Sequence, residues 1–281
     1  MITTRPVMRY HGGKWKLAPW IIENLPPHRV YVEPFGGAAS VLLRKPRSYA
    51  EVYNDLDGEV VNLFRVLRDP SQARELKRLL ILTPFARQEY ELSQITASDP
   101  IEQARRTVFR SFAGFASTAA SGNATGFRAN SNRSGTTPAH DWRNFPDALD
   151  AIVDRLRGVV IEMRNADEVI RQHDSTKTLF YVDPPYVHET RYSDAARKAY
   201  RYEMTDGEHR QLSETLHAVA GMVVLSGYPS ALYDELYGDW TKIQRKAFTG
   251  SVTQRTEVLW LNNAADKANG FPVQMRLGVM A

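Results

Sequence analysis

The run Thr178-Leu179-Phe180-Tyr181-Val182 carries no charge and passes directly into Asp183-Pro184-Pro185-Tyr186. An apolar run this short, rich in aromatic and β-branched residues, describes a strand buried on both faces, and a sheet of such strands needs helices on each side. An acid, two prolines and an aromatic then make a rigid polar pocket at the strand's carboxyl end. In open α/β sheets, that end is where ligands bind.

Other apolar, β-branched runs bounded by turn residues repeat the pattern: Val30-Tyr31-Val32, Ala50 to Tyr53, Val159 to Met163 and Met222 to Leu225. Thr241 to Gln244 and Val258 to Leu261 suit a closing hairpin. Helical periodicity lies between them, from Gly58 to Leu67, Ala148 to Leu156 and Thr205 to Ala218. Strands alternating with helices predict an α/β fold with a mostly parallel sheet.

The stretch from about Asp69 to Asp147 breaks the alternation, with helices and loops but no convincing strand. Asp99-Pro100 is a helix start, an acid at the N-cap and proline in the first turn. Between Gln103 and Arg143 the basic residues Arg105, Arg106, Arg110, Arg128, Arg133 and Arg143 meet one acid, Asp141. A helical insertion carrying a mobile basic loop, Gly114 to Thr137, is expected; a solvated helix and linker is the plainer reading.

Composition narrows the chemistry. The chain has no cysteine, which removes disulfides, thiolate metal sites and cysteine nucleophiles. Cytosine C5 methylation and thiolate-zinc base deamination are thereby excluded. A net charge of +4 fits a polyanionic partner without requiring one. Met1 to Pro6 shows no apolar leader and no stretch is long enough to span a bilayer, so a soluble intracellular protein without a membrane partner is expected.

Four constellations carry chemistry. Glu33-Pro34-Phe35-Gly36-Gly37-Ala38-Ala39-Ser40 follows the first strand, where glycines let a ligand approach the backbone near a helix N-terminus. Asn54-Asp55-Leu56-Asp57 ends the second strand, roughly twenty residues on, the distance at which an acid meets ribose hydroxyls in nucleoside-binding βαβ units. Arg9-Tyr10-His11-Gly12-Gly13-Lys14-Trp15 supplies a loop with an aromatic and a cation, His11 reading as an exposed or packing histidine. Asp167, in Asn165-Ala166-Asp167, could accept a hydrogen bond from an adenine amino group or simply cap the next helix.

Asp183-Pro184-Pro185-Tyr186 is the fourth. An exocyclic amine on an aromatic ring is a poor nucleophile because its lone pair is delocalised. A carboxylate (Asp183) and a backbone carbonyl (Pro184) that accept its two N–H bonds favour a pyramidal nitrogen aimed at an electrophilic methyl. Pro184 and Pro185 stiffen the backbone, and Tyr186 offers a π-face to a base that has left the duplex.

Taken in order, Tyr10-His11-Gly12-Gly13-Lys14, Glu33-Pro34-Phe35-Gly36-Gly37, Asn54-Asp55, Asp167 and Asp183-Pro184-Pro185-Tyr186 resemble the Dam-like, alpha-group DNA adenine N6-methyltransferases, as do Leu225-Ser226-Gly227-Tyr228 and Arg255-Thr256-Glu257-Val258-Leu259. The resemblance implies a Rossmann-like catalytic domain at 1–68 and 148–281, with 69–147 as a mainly helical target-recognition insertion. It implies S-adenosylmethionine as donor, S-adenosylhomocysteine as product and no metal. Tyr10, Lys14, Phe35, Gly36 and Gly37 would surround the methionine end and its turn, Asp55 the ribose, and Asp167 the adenine. Asp183 would face cofactor and target amine. Double-stranded DNA would be the partner of a cytoplasmic, monomeric enzyme of bacterial or phage type. Arg105, Arg106, Arg110, Arg128 and Arg133 would contact DNA, and Arg191, Tyr192, Arg197, Lys198 and Arg201 could close over the flipped base. Ala39 departs from a glycine common in the family. N4-cytosine methylation, which more often has serine at the Asp183 position, and a non-catalytic nucleic-acid-binding module are the alternatives.

Overall fold

The computed structural model describes residues 3–115, 125–130, 135–190, 200–249 and 253–270. Its strands are β1 Val30–Glu33, β2 Ala50–Asn54, β3 Val159–Glu162, β4 Thr178–Val182, β5 Met222–Gly227, β6 Thr241–Thr249 and β7 Thr253–Leu261. They form one sheet in the order β3-β2-β1-β4-β5-β7-β6, parallel from β3 to β5 and finished by antiparallel β7 and β6. The closing hairpin is real and longer than its apolar runs. β3 is the edge strand, where only one face needs burial: Val160 is 46% exposed, and the strand stops before Met163.

The helices are α1 Ala18–Glu23, α2 Ser40–Arg44, α3 Gly58–Arg68, α4 Pro70–Leu82, α5 Arg87–Leu92, α6 Pro100–Ala113, α7 Pro138–Arg143, α8 Leu149–Leu156, α9 Ala166–His173, α10 Asp206–Ala218, α11 Ala231–Leu236 and α12 Asn263–Asn269. Local chemistry starts them. Asp57 accepts from the Glu59 amide at α3, Asp99 from Glu102 at α6, and Thr205 with Glu208 forms a capping box at α10. Every residue of β4 and β5 is buried, as central strands covered on both faces must be. β1 pairs with β2 on one side and β4 on the other, so strand order reverses between β1 and β4 and their carboxyl ends flank a crevice.

The described residues of 69–147 are mainly helical, and they share a core with the rest of the fold. Leu76, Leu80, Val108, Phe109, Phe112 and Trp142 belong to the same buried cluster as Leu42, Tyr53 and Phe64. Phe109 meets Trp142 edge-on at 4.9 Å, and the Trp142 indole N–H donates to Thr83 O at 2.8 Å.

Three arginines of α6, expected to contact DNA, make bonds within the fold. Arg105 is 7% exposed, donating to Glu102 and Glu89 at 2.7 Å and to Thr83. Arg106 donates to Glu102 at 2.7 Å and to Ile95 O at 2.8 Å. Arg110 is 3% exposed and bonded to Glu59 and to Ser93 O. All three are paired within the protein. Their partners Glu59, Glu89 and Glu102 all lie before Gln103, where a count of acids between 103 and 143 does not see them. Buried cations must be paired, and here the pairing is with neighbouring helices. Arg133 lies outside the described residues. The loop after α6 is clamped at its root by a bridge between Gly114 and Phe127, with Arg128 N donating to Ala113 O at 2.8 Å.

Candidate active site

A cavity of ≈ 1050 Å³, its mouth included, opens at the carboxyl ends of β1 and β4. Its floor is the turn after β1. Gly36 N donates to Asn54 O at 2.8 Å, and a Cβ on Gly36 would lie 2.1 Å from Cε2 of Tyr53. Gly37 has φ +48°, and its Cβ would lie 2.9 Å from Cε1 of Tyr10. The glycines thus leave room for ring and backbone to meet. Ala39 also has a left-handed backbone, φ 52°, the only non-glycine among the described residues to do so. That conformation explains why a glycine suits this position, and why alanine, the smallest side chain that has a Cβ, can stand in.

Acids line the same turn. Asp55 accepts from Gly37 N and Asp57 N, each at 2.8 Å, and burial lifts it to about 6 despite those bonds. Glu33 accepts from the Tyr31 hydroxyl at 2.6 Å and Leu42 N at 2.8 Å, and burial pushes it up to about 7. Glu33 therefore ties β1 to α2 while also facing the cavity.

Lys14 joins the N-terminal loop to the catalytic motif. Its side chain is 6% exposed, and Nζ lies 2.8 Å from Oδ1 of Asp183, 2.9 Å from Gly12 O and 3.8 Å from Oε1 of Glu257. Burial alone would lower its pKa; the Asp183 and Glu257 carboxylates outweigh that and hold it above the ordinary lysine value. Ser226 Oγ donates to the same Asp183 oxygen at 2.8 Å. Tyr186 is 8% exposed: its hydroxyl donates to Glu257, Nζ of Lys14 stands 4.6 Å from its ring centroid, and its ring meets Tyr228 edge-on at 4.7 Å.

Tyr10, Lys14, Phe35, Gly36, Gly37, Asp55, Asp183 and Pro185 all line the cavity. Asp167 does not; it lies in the first turn of α9, bonded to Gln211 at 2.8 Å, while its neighbour Ala166 lines the wall. The cap of α9 is Asn165, which accepts from Asp167 N. Pro184 and Tyr186 sit behind the lining. Sequence reasoning missed Tyr200, which stands 5.2 Å edge-on from His11 across the mouth, and the partners of Arg201, namely Asp57 at 3.1 Å and Glu59 at 2.8 Å. Arg191, Tyr192, Arg197 and Lys198 lie outside the described residues. It also missed Glu257 as a site residue, although the segment that holds it stood out.

Among the described residues, no group of three or more His, Cys, Asp or Glu side chains could hold a metal ion, and no helix is long and apolar enough to cross a membrane. No individual curated protein matches the chain. A family model does, over residues 10–249, which takes in the glycine-lysine loop, the β1 turn and the β4 motif. The chain belongs to the D12 class of N6 adenine-specific DNA methyltransferases.

Proposed function

We propose that the cavity seats S-adenosylmethionine and that Asp183 receives the target adenine's N6 amine at its edge. The observation that carries the reading is Asp183 itself: a carboxylate at the end of a fully buried strand, oriented by Lys14 and Ser226, beside a cavity at the sheet's switch point.

The residues present fit that cofactor. Asp55 and Asp57 offer acceptors for ribose hydroxyls, and Phe35 and Tyr10 offer apolar surface beside the Gly36–Gly37 turn. When bound, S-adenosylmethionine supplies an electrophilic methyl on a sulfonium and leaves as S-adenosylhomocysteine. The Asp55, Asp57 and Asp183 carboxylates, two of them shared with Arg201 and Lys14, give the lining acceptors that suit a cationic donor. Asp183 and the Pro184 carbonyl would accept the amine's N–H bonds and keep its lone pair off the ring. Asp167 lies outside the lining with Oδ2 held by Gln211, so a contact to the adenine would fall to its other oxygen.

On the same reading 69–147 reads the DNA site, with Arg128 and the loop rooted at the Gly114–Phe127 bridge as its contacting part, in place of the α6 arginines. A monomer acting on double-stranded DNA is the expected form. Incubation with methyl-labelled S-adenosylmethionine and duplex DNA, followed by nucleoside analysis, tests the reading. Label in N6-methyldeoxyadenosine supports it; label in N4-methyldeoxycytidine, or DNA binding with no label, overturns it.

A further inference from the structure

Glu257 has no assigned part in methyl transfer, yet it is the point where three elements of the site meet. It lies on β7, an antiparallel strand beside β5, and is 2% exposed. A carboxylate so deeply buried is costly unless it is paired. Its partners are the residues of the reaction: the Tyr186 hydroxyl donates to Oε1, and the Lys14 ammonium lies 3.8 Å from the same atom. Lys14 in turn touches Asp183 at 2.8 Å.

Two consequences follow from electrostatics. With Lys14 protonated, the cluster of Lys14, Asp183 and Glu257 carries two negative charges and one positive. An ammonium shared between two carboxylates also weakens the acceptor strength of Asp183 less than one bound to Asp183 alone. Both effects favour positive charge developing on an amine that Asp183 faces. Tyr186 adds a geometric consequence. With Lys14 near its face and Tyr228 packed against it, the bond to Glu257 anchors the hydroxyl end of the ring and keeps it from swinging out of place.

We propose that Glu257 is a positioning residue for methyl transfer, acting through Tyr186 and Lys14 to fix the ring and the carboxylate of the β4 motif relative to each other. The proposal rests on Asp183 as acceptor of the target amine. Misplacing that constellation slightly should cost rate while leaving ground-state binding nearly intact.

The test compares Glu257→Ala, Glu257→Gln and Tyr186→Phe in the full chain, with single-turnover methylation of duplex DNA, cofactor and DNA affinities, and thermal melting measured together. Glu257→Ala should slow transfer about tenfold or more while both affinities stay within about twofold. Glu257→Gln retains a carbonyl for the Tyr186 hydroxyl and should recover part of the rate. In a Tyr186→Phe background, which lacks that hydroxyl, Glu257→Ala should cost a smaller factor than it does alone. Wild-type rates in both Glu257 variants overturn the proposal, as does the same cost with and without the hydroxyl. Should Glu257→Ala fail to fold, Tyr186→Phe removes the same bond from the other side, and a wild-type rate there overturns it equally. A wild-type chain that methylates no adenine indicts the functional reading instead, so the two failures are distinguishable.

Discussion

The Lys14 ammonium stands 2.8 Å from Oδ1 of Asp183, a residue 169 positions further along the chain (183 − 14). The contact joins the N-terminal loop to the Asp183-Pro184-Pro185-Tyr186 turn, and the same loop walls the cavity. Because Ser226 donates to the same oxygen, Asp183 is held by β5 and by the loop together, with its side chain 18% exposed toward the cavity.

Asp183→Ala should therefore abolish methyl transfer, by a factor of about a thousand or more, as expected when a group that stabilises developing charge is lost. DNA binding should change little. Label incorporation and a DNA titration check the two halves, and wild-type turnover in this variant would sink the role given to Asp183.

Arg105→Ala and Arg110→Ala should each lower stability, by roughly 1.5–3 kcal/mol, as hydrogen bonds between charged groups inside the fold are lost. Glu89, its side chain 27% exposed, would lose its Arg105 partner, and Glu59 would keep only Arg201. The salt dependence of DNA affinity should keep its slope, because the slope counts phosphates neutralised. Urea unfolding and a salt series measure both. A shallower slope with unchanged stability would return these arginines to the DNA interface.

Glu33 makes stability depend on pH. Burial raises it from 4.5 to about 7, so the folded chain holds this proton more tightly than the unfolded chain does. Stability is then highest below the unfolded value and falls as pH rises through the folded one, by roughly 3 kcal/mol for this group. Asp55 acts in the same direction between 3.8 and about 6. Glu33→Gln keeps an acceptor for Tyr31 and Leu42 but cannot ionise. Its unfolding free energy should gain on the wild type between about pH 5 and about pH 8 in paired urea titrations. Parallel pH profiles would contradict the cause assigned here.

Gly36→Ala should be damaging for a steric reason. Its backbone is not left-handed, yet the new Cβ would stand 2.1 Å from the ring of Tyr53, which is fully buried and donates to Gly37 O at 2.7 Å. A cost of about 1–3 kcal/mol is expected from overpacking, with weaker cofactor binding as the Gly37 turn shifts. Denaturant unfolding and a cofactor titration read the two effects. An unperturbed affinity would show that Tyr53 does not support the turn.

Much of the frame was legible because it is local. The uncharged run before Asp183, the glycines after Glu33 and the acid at Asp55 are properties of adjacent residues, and each declares a strand end or a turn wherever the chain goes. Helix starts at Asp99 and Thr205 are equally local, since a cap bonds to amides two or three residues away. The family resemblance added the order of those motifs, and the matched family model covers the same stretch.

Other assignments depended on which surfaces face each other. Composition showed arginines in α6, but only packing against α3 and α5 brought Glu59 and Glu89 to them and turned a basic helix inward. Asp167 looked equally suited to adenine or to a cap; the fold gave the cap to Asn165 and Asp167 itself to Gln211. Glu257 lies on a strand that returns antiparallel beside β5, so its meeting with Tyr186 and Lys14 has no signature in spacing. The sequence alone determined where the chain turns and which motif ends which strand, because short-range sterics and hydrogen bonding decide those. Which charges are buried together was left to the tertiary structure, because pairing a buried charge is a long-range demand that only the assembled fold can meet.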